Sequence, residues 1–406
     1  MEKIKKLKKI LHDYKIDGYL IPKNDEFFSE YTSEHEDRLK FLTGFTGSYG
    51  FALILKKINY LFVDGRYTIQ ANIQSGKRFK IITIPNKLPS DLLKSKKITI
   101  GFDPKLYTYE ILHHHFKKTN CKLIPLNQNL IDKIWSKKKK KPNGKFFNLK
   151  DIDTGQSSIT KINILTALLN KKKIDMHFVS ASENIAWLLN LRGCDSEFSP
   201  IPNGYLLLDN KKKIFFFCDL NKISKKLKLS FKRVNFLNIE SINIFLQKIR
   251  NKKILIDKKS CSILFSDILK KNNKIIDYHD PIYYLKSIKN KIEIKNTIKS
   301  HIYDGAALTK FLFWVKNNYN KKNITEISAQ KKLLKFRKKN KTFKFLSFPT
   351  ISGTGPNGAI IHYKANEKTN RELTKGDIYL VDSGGQYNFG TTDVTRTISL
   401  GNNNNK

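Results

Sequence analysis

Asp377-Ile378-Tyr379-Leu380-Val381-Asp382-Ser383-Gly384-Gly385, running on through Gly390 to Thr391-Thr392-Asp393-Val394-Thr395-Arg396-Thr397, reads as strand, glycine turn, strand. In a hairpin of that kind the carboxylates of Asp382 and Asp393, eleven positions apart, can converge across the turn. Paired carboxylates suit hard or borderline divalent cations such as Mn2+ or Mg2+. Aspartate also ends strands and opens turns, where it hydrogen-bonds to backbone, so the pair alone leaves a purely structural role open.

Upstream of this hairpin, a region opens at Asp280-Pro281-Ile282. Lys286 to Asn318 carries a long helical pattern through Ile292, Ile294, Ile298, Ile302, Ala306, Leu308, Phe311 and Leu312. Thr325-Glu326 introduces a second helix. Earlier still, one arrangement occurs twice. Phe41-Leu42 and Trp187-Leu188 each precede a glycine turn and a pair of apolar runs, Phe51 to Leu55 with Tyr60 to Val63, and Tyr205 to Leu208 with Ile214 to Cys218. Two copies point to a duplicated α/β domain rather than a solenoid. Between them, Ser136, the five lysines Lys137 to Lys141 and Pro142-Asn143-Gly144 read as a solvated linker.

Composition narrows the classes. A formal charge of +42, from 77 Lys+Arg against 35 Asp+Glu, would suit an anionic partner. The lysines, however, are spread along the whole chain with no recognition motif, which argues against nucleic acid. No run approaches the roughly 20 apolar residues of a membrane span. Ile4, Leu7, Ile10, Leu11 and Tyr14 recur at helical spacing and predict a docked amphipathic helix rather than a signal peptide. Cys121, Cys194, Cys218 and Cys261 form no CxxC pair and fit reduced thiols in cytoplasm. Consecutive His113, His114 and His115 point about 100° apart on a helix and are expected on the surface rather than around one metal. Gly353 to Gly358 lacks the Gly-Lys-Ser/Thr ending of a phosphate loop and reads as a turn leading into a substrate-lining strand. Trp187, among apolar neighbours, reads as core.

Leu346-Ser347-Phe348-Pro349-Thr350-Ile351-Ser352-Gly353-Thr354-Gly355-Pro356-Asn357-Gly358-Ala359-Ile360-Ile361-His362-Tyr363, followed by Asp-Ser-Gly at Asp382 and Gly-Thr-Thr-Asp-Val-Thr-Arg-Thr around Asp393, resembles aminopeptidase P. The resemblance extends to Ile21-Pro22, Asn24-Asp25, Arg38-Leu39, Thr43-Gly44-Phe45-Thr46-Gly47-Ser48, Asp64-Gly65-Arg66-Tyr67, Trp187-Leu188-Leu189-Asn190 and Arg192-Gly193. It is the longer, three-domain form of the creatinase/pita-bread metallopeptidase family that the chain is similar to. That resemblance implies an α/β and α+β protein: two creatinase-N-like α/β domains at 1–135 and 159–280, joined by a Lys-rich linker at 136–158, then part of a pita-bread domain at 281–401. Residues 402–406, four asparagines and a lysine, are read as a disordered tail.

The resemblance further implies removal of the first residue from peptides with proline second, in the cytoplasm, by a homo-oligomer. Asp382 and Asp393 become ligands of a centre that in the complete family site holds two Mn2+. His362 becomes a histidine that hydrogen-bonds the substrate or the developing oxyanion and is not itself a ligand. Family members supply a further histidine and two glutamates downstream, whereas Val394 to Lys406 contains no His, Asp, Glu or Cys. The expectation is therefore a C-terminally truncated chain with an incomplete site, an uncovered apolar sheet surface and a possible need for a complementary C-terminal fragment. The alternative expectation is a noncatalytic peptide-binding or assembly subunit.

Overall fold

The computed structural model describes residues 2–401, so the expected tail at 402–406 lies outside the described residues. The chain forms two compact units. The larger is built from Met1–Asn148, Ser158–Glu197 and Ile201–Ile288, and the other from Leu149–Ser157, Phe198–Pro200 and the chain from Lys289 onward.

The larger unit holds two lobes of one design. In the first, β1 (Gly18–Pro22), β2 (Phe51–Leu55), β3 (Asn59–Asp64), β4 (Lys80–Ile84), β5 (Thr99–Phe102) and β6 (Lys122–Pro125) form a sheet of order β4-β3-β2-β1-β5-β6. Every residue of β1 and β2 is buried, the mark of strands covered on both faces. The N-terminal helix Glu2–Asp13 contributes Ile4, Leu7 and Leu11 to one covering layer, as its spacing predicts. The second lobe contains β7 (Phe147–Asn148), β8 (Met176–Val179), β9 (Leu191–Arg192), β10 (Tyr205–Asp209), β11 (Ile214–Cys218), β12 (Val234–Asn238), β13 (Lys253–Ile256) and β14 (Lys274–Asp277). Its main sheet runs β12-β11-β10-β8-β13-β14. The central strand pairs antiparallel on one side and parallel on the other in both lobes, β2-β1-β5 matching β10-β8-β13, so the duplication seen in sequence is a duplication of topology.

The lobes are pinned together reciprocally. Phe27 of the first stacks on Tyr205 of the second, with ring centroids 5.2 Å apart, and Ile263 of the second packs into the core of the first. The Tyr205 hydroxyl donates to Glu26 O at 2.9 Å, and Ile263 N donates to Tyr107 O at 2.9 Å. The expected linker is bare only in part: Lys138 pairs with Asp132 and Lys139 with Glu34, Phe146 is buried in the second lobe, and β7 pairs with β9.

The His113–His115 expectation needs correction at its last member. On the helix Tyr109–Phe116, His115 follows Leu112 by three and so shares its buried face, whereas His113 and His114 are exposed. The His115 ring lies 4.4 Å from Phe51, its Nδ1 has no partner, and burial first, then the neighbouring His114, pushes its pKa down to about 4.

The other unit carries the hairpin from which the sequence argument began. Two helices, Lys291–Asn318 and Glu326–Lys338, bury Leu308, Phe311, Val315, Ala329 and Leu333 against Tyr379 and Val381. Two three-stranded sheets complete it: β15 (Phe343–Leu346), β16 (Ile351–Thr354), β17 (Ile378–Ser383), β18 (Gly385–Tyr387), β19 (Gly390–Thr391) and β20 (Val394–Ser399), in orders β15-β18-β19 and β16-β17-β20. Three expectations change here. The long helical pattern is broken at Ile288–Asn290, where Asn290 caps the new helix by accepting from Ile292 N and Glu293 N. Ile294, Ile298 and Ile302 point outward, because the helix buries the Ser300, Asp304, Ala307, Leu308 face instead. The Gly353–Gly358 turn follows a strand rather than leading into one, since β16 precedes the 3-10 helix Gly355–Ala359.

The pH dependence of the first lobe follows from His115. The unfolded chain protonates this ring near 6.5 and the folded chain only near 4, so acid favours unfolding across that interval. Stability should fall as pH drops from about 6.5 to 4, by ~3 kcal/mol for this group, and level off below. Urea unfolding of His115→Gln across this range should show that much less acid loss; an unchanged pH slope would contradict the assignment.

Candidate metal centre

Residues along β17 alternate between two environments. Tyr379, Val381 and Ser383 turn toward the helices and are buried, whereas Ile378, Leu380 and Asp382 turn to the opposite face. Asp382 pairs with Ile351 on one side and Thr395 on the other. Its face therefore also carries Thr397 opposite Leu380 and Ser399 opposite Ile378, and mixes polar with apolar side chains. On that face Ile378 is exposed and Leu380 and Ile351 are half-buried.

The segment between the two aspartates is not a simple turn. At Gly384 the chain leaves the β16-β17-β20 sheet, makes the small β18-β19 hairpin in the other sheet, and returns to β20. A Cβ on Gly384 would stand 2.0 Å from Thr392 O and 2.2 Å from Ser347 Oγ, so the crossover closes only with glycine. Thr392 N and Oγ1 are both joined to Gly385, and Ser347 Oγ donates to Thr392 O at 2.8 Å. Gly390 sits against Ser300 of the long helix, where a Cβ would meet Ser300 Oγ at 2.4 Å. These contacts bring Asp393, the residue after buried Thr392, back to Asp382.

The convergence is visible in the electrostatics. Although its side chain reaches solvent, the Asp393 carboxyl is held above its usual range, first by partial burial and then by the charge of Asp382; His301 acts in the opposite sense. Asp382 Oδ1 is buried and accepts no hydrogen bond. A buried carboxyl oxygen with no donor, beside a second acidic side chain, is an expensive arrangement that a bound cation would relieve. The two aspartates thus fit a divalent cation as part of its ligand set. Among the described residues, no group of three or more His, Cys, Asp or Glu side chains could hold a metal.

His362 is placed differently. It lies in an exposed turn after the 3-10 helix, with φ +54. The next residue, Tyr363, is buried, and its hydroxyl donates to Glu326 Oε2 at 2.7 Å. Buried Glu326 also accepts from Thr354 N, Asn357 Nδ2 and Arg371 N, so one carboxylate ties down the loop that presents His362. Burial, with the hydrogen bond to Glu326, pushes the Tyr363 hydroxyl up to about 12. The structure brings Asp382 and Asp393 together; the histidine acting on Asp393 is His301, which the sequence reading did not single out. Its position gives no motif, only a place three residues after Ile298 on a helix otherwise read for its apolar pattern.

Comparison with known proteins agrees with this architecture. Sequence models of the Creatinase/Prolidase N-terminal domain match residues 3–134 and 137–293, and that of Metallopeptidase family M24 matches 295–406. The chain is 35% identical over 404 residues to Xaa-Pro aminopeptidase ApepP of Drosophila melanogaster, covering 95% of this chain and 65% of that protein. It is 35% identical to Xaa-Pro aminopeptidase 1 of Dictyostelium discoideum, covering 98% and 67%. The chain belongs to the Xaa-Pro aminopeptidase P family. Its fold, two creatinase-N domains and a pita-bread metallopeptidase region, is that of the X-prolyl aminopeptidase of Caenorhabditis elegans, a cytosolic enzyme with a dinuclear active site. The TM-score is 0.92 at 27% identity, over 100% of this chain and 70% of the solved one. The chain spans 65% of the length of the Drosophila relative.

The charge coupling of the two aspartates is directly measurable. Asp382→Asn should lower the Asp393 pKa toward, but not to, its ordinary value, because burial persists while the neighbouring charge is gone. Carboxyl carbon NMR titration checks this; an Asp393 unmoved by the substitution would show that the two groups do not interact.

Proposed function

We propose that the chain acts as a metal-dependent Xaa-Pro aminopeptidase, hydrolysing the N-terminal residue from peptides with proline second. The observation that carries this reading is the buried, unpartnered Asp382 Oδ1 beside Asp393. The similarity to a solved relative with a dinuclear active site supports it. Asp382 and Asp393 would hold divalent metal, two Mn2+ in the complete site, as carboxylate oxygen donors suit. Metal bound there supplies Lewis-acid polarisation of a carbonyl and activation of water.

This chain's own residues have separate tasks in that reading. Asp382 and Asp393 concentrate negative charge where β17 ends and β20 begins. His362 would hydrogen-bond the substrate or its developing oxyanion; its exposed turn, anchored through Tyr363 to Glu326, supports that role. Its backbone adopts the left-handed region (φ +54), one residue before Tyr363, whose hydroxyl is anchored to Glu326. We further propose cytoplasmic action, supported by four unpaired cysteines and by the cytosolic solved relative. Among the described residues, no helix is long and apolar enough to cross a membrane. Assembly as a homo-oligomer belongs to the same proposal.

A second reading, a noncatalytic peptide-binding or assembly subunit, is favoured by one observation: no third metal-binding side chain joins the aspartates among the described residues. Hydrolysis of a Xaa-Pro peptide by the purified chain with Mn2+, with and without a supplied C-terminal half-domain from a related enzyme, separates the two. Cleavage, and its loss in Asp382→Asn, is the expected outcome. No cleavage, with or without the supplied half, would favour the noncatalytic subunit.

A further inference from the structure

We propose that the buried Asp304–Arg337 pair, acting through Ser383 and Tyr387, sets the position of Asp382, which makes these four side chains positioning residues of the metal centre. This rests on the reading of Asp382 and Asp393 as metal ligands. Arg337 is fully buried, and its Nε and Nη2 donate to Asp304 Oδ1 and Oδ2 at 2.7 and 2.9 Å. The pair has one contact on each side of the Gly384 crossover. Before it, Arg337 Nη2 also donates to Ser383 Oγ at 3.0 Å; after it, the Tyr387 hydroxyl donates to Asp304 Oδ1 at 2.7 Å.

Ser383 is the last side chain of β17 on the helix side, since Gly384 has none, and adjacent strand residues point to opposite faces. Holding Ser383 against Arg337 therefore fixes the rotation of the strand end and the direction of Asp382. Holding Tyr387 fixes where the chain emerges into the β18-β19 hairpin that returns Asp393. A buried ion pair is a poor source of net stability compared with apolar residues of similar volume. This one also leaves Arg337 Nη1 buried without a partner. What it supplies is geometry: a planar, two-point fork that two flexible apolar side chains could not reproduce. Partners behind metal ligands commonly change affinity by 10–100-fold when removed.

The test uses the full chain and Mn2+ alone, with binding read by calorimetry and folding by thermal melting. Asp382→Asn defines the site-dependent binding, and Ser352→Ala, which removes a buried hydroxyl bonded to Tyr379 and Glu326 O, controls for simple loosening of the sheet. We expect Ser383→Ala to weaken Mn2+ binding about tenfold, with a melting temperature close to that of Ser352→Ala and Mn2+ affinity unchanged in Ser352→Ala. Should Ser383→Ala not melt cooperatively, Tyr387→Phe, which acts from the other side of the crossover, decides the matter by the same loss of affinity. Equal weakening in Ser352→Ala, or none in a folded Ser383→Ala or Tyr387→Phe, would overturn the positioning role while leaving the metal site standing. Native Mn2+ binding that is absent, or indifferent to Asp382→Asn, would overturn the metal reading and this inference with it.

Discussion

Asp382 and Asp393 repel each other, and the organisation of the smaller unit follows from holding them side by side nonetheless. The cost is evident in Asp393, whose carboxyl is held above its usual range, and in the Asp382 oxygen that has no donor. Backbone pairing alone would not impose it. What does is a chain crossing between two sheets at Gly384, closed so tightly that a single Cβ would strike Thr392 O, with a buried ion pair bonded to the side chains on either side. The geometry suits a cation, whose charge would offset the cost of holding the two carboxyl groups together.

A second buried carboxylate does comparable work for the histidine loop. Glu326 stands at the start of a helix, where negative charge is favoured, and collects donors from Thr354, Asn357, Tyr363 and Arg371. One side chain thus joins the end of β16 to the segment carrying His362. In a chain with a formal charge of +42, buried acids at Asp304 and Glu326 are structural choices rather than compositional drift. The two lobes of the larger unit show the same economy at a different scale, with one sheet topology used twice and locked by Phe27 in one direction and Ile263 in the other.

The duplicated lobes were legible because paired apolar runs with turns between them encode antiparallel neighbours locally: Phe51 to Leu55 and Tyr60 to Val63 became β2 and β3, and Tyr205 to Leu208 and Ile214 to Cys218 became β10 and β11. The aspartate pair was legible for the same reason, since both residues lie in one short segment. The crossover between them was not, because Gly384 reads as a turn glycine in sequence, whereas its need arises from Thr392 and Ser347 crowding it from distant positions. Asp304 and Arg337 were invisible as partners: charged residues on helices read as solvated until tertiary packing places both on buried faces. The outward Ile294, Ile298 and Ile302 show the converse, an apolar pattern that announces a helix but not which side of it is covered. His115 was misplaced because directions about 100° apart do not say which side of the helix is covered; the face shared with Leu112 decides it.

The central claim is that Asp382 and Asp393 together hold a divalent cation. The most direct measurement is anomalous diffraction at the manganese edge from crystals of the chain equilibrated with Mn2+. The account predicts an anomalous peak within coordination distance of both carboxylates, and of Asp382 Oδ1 in particular. A peak elsewhere, or none beside this pair, would contradict it.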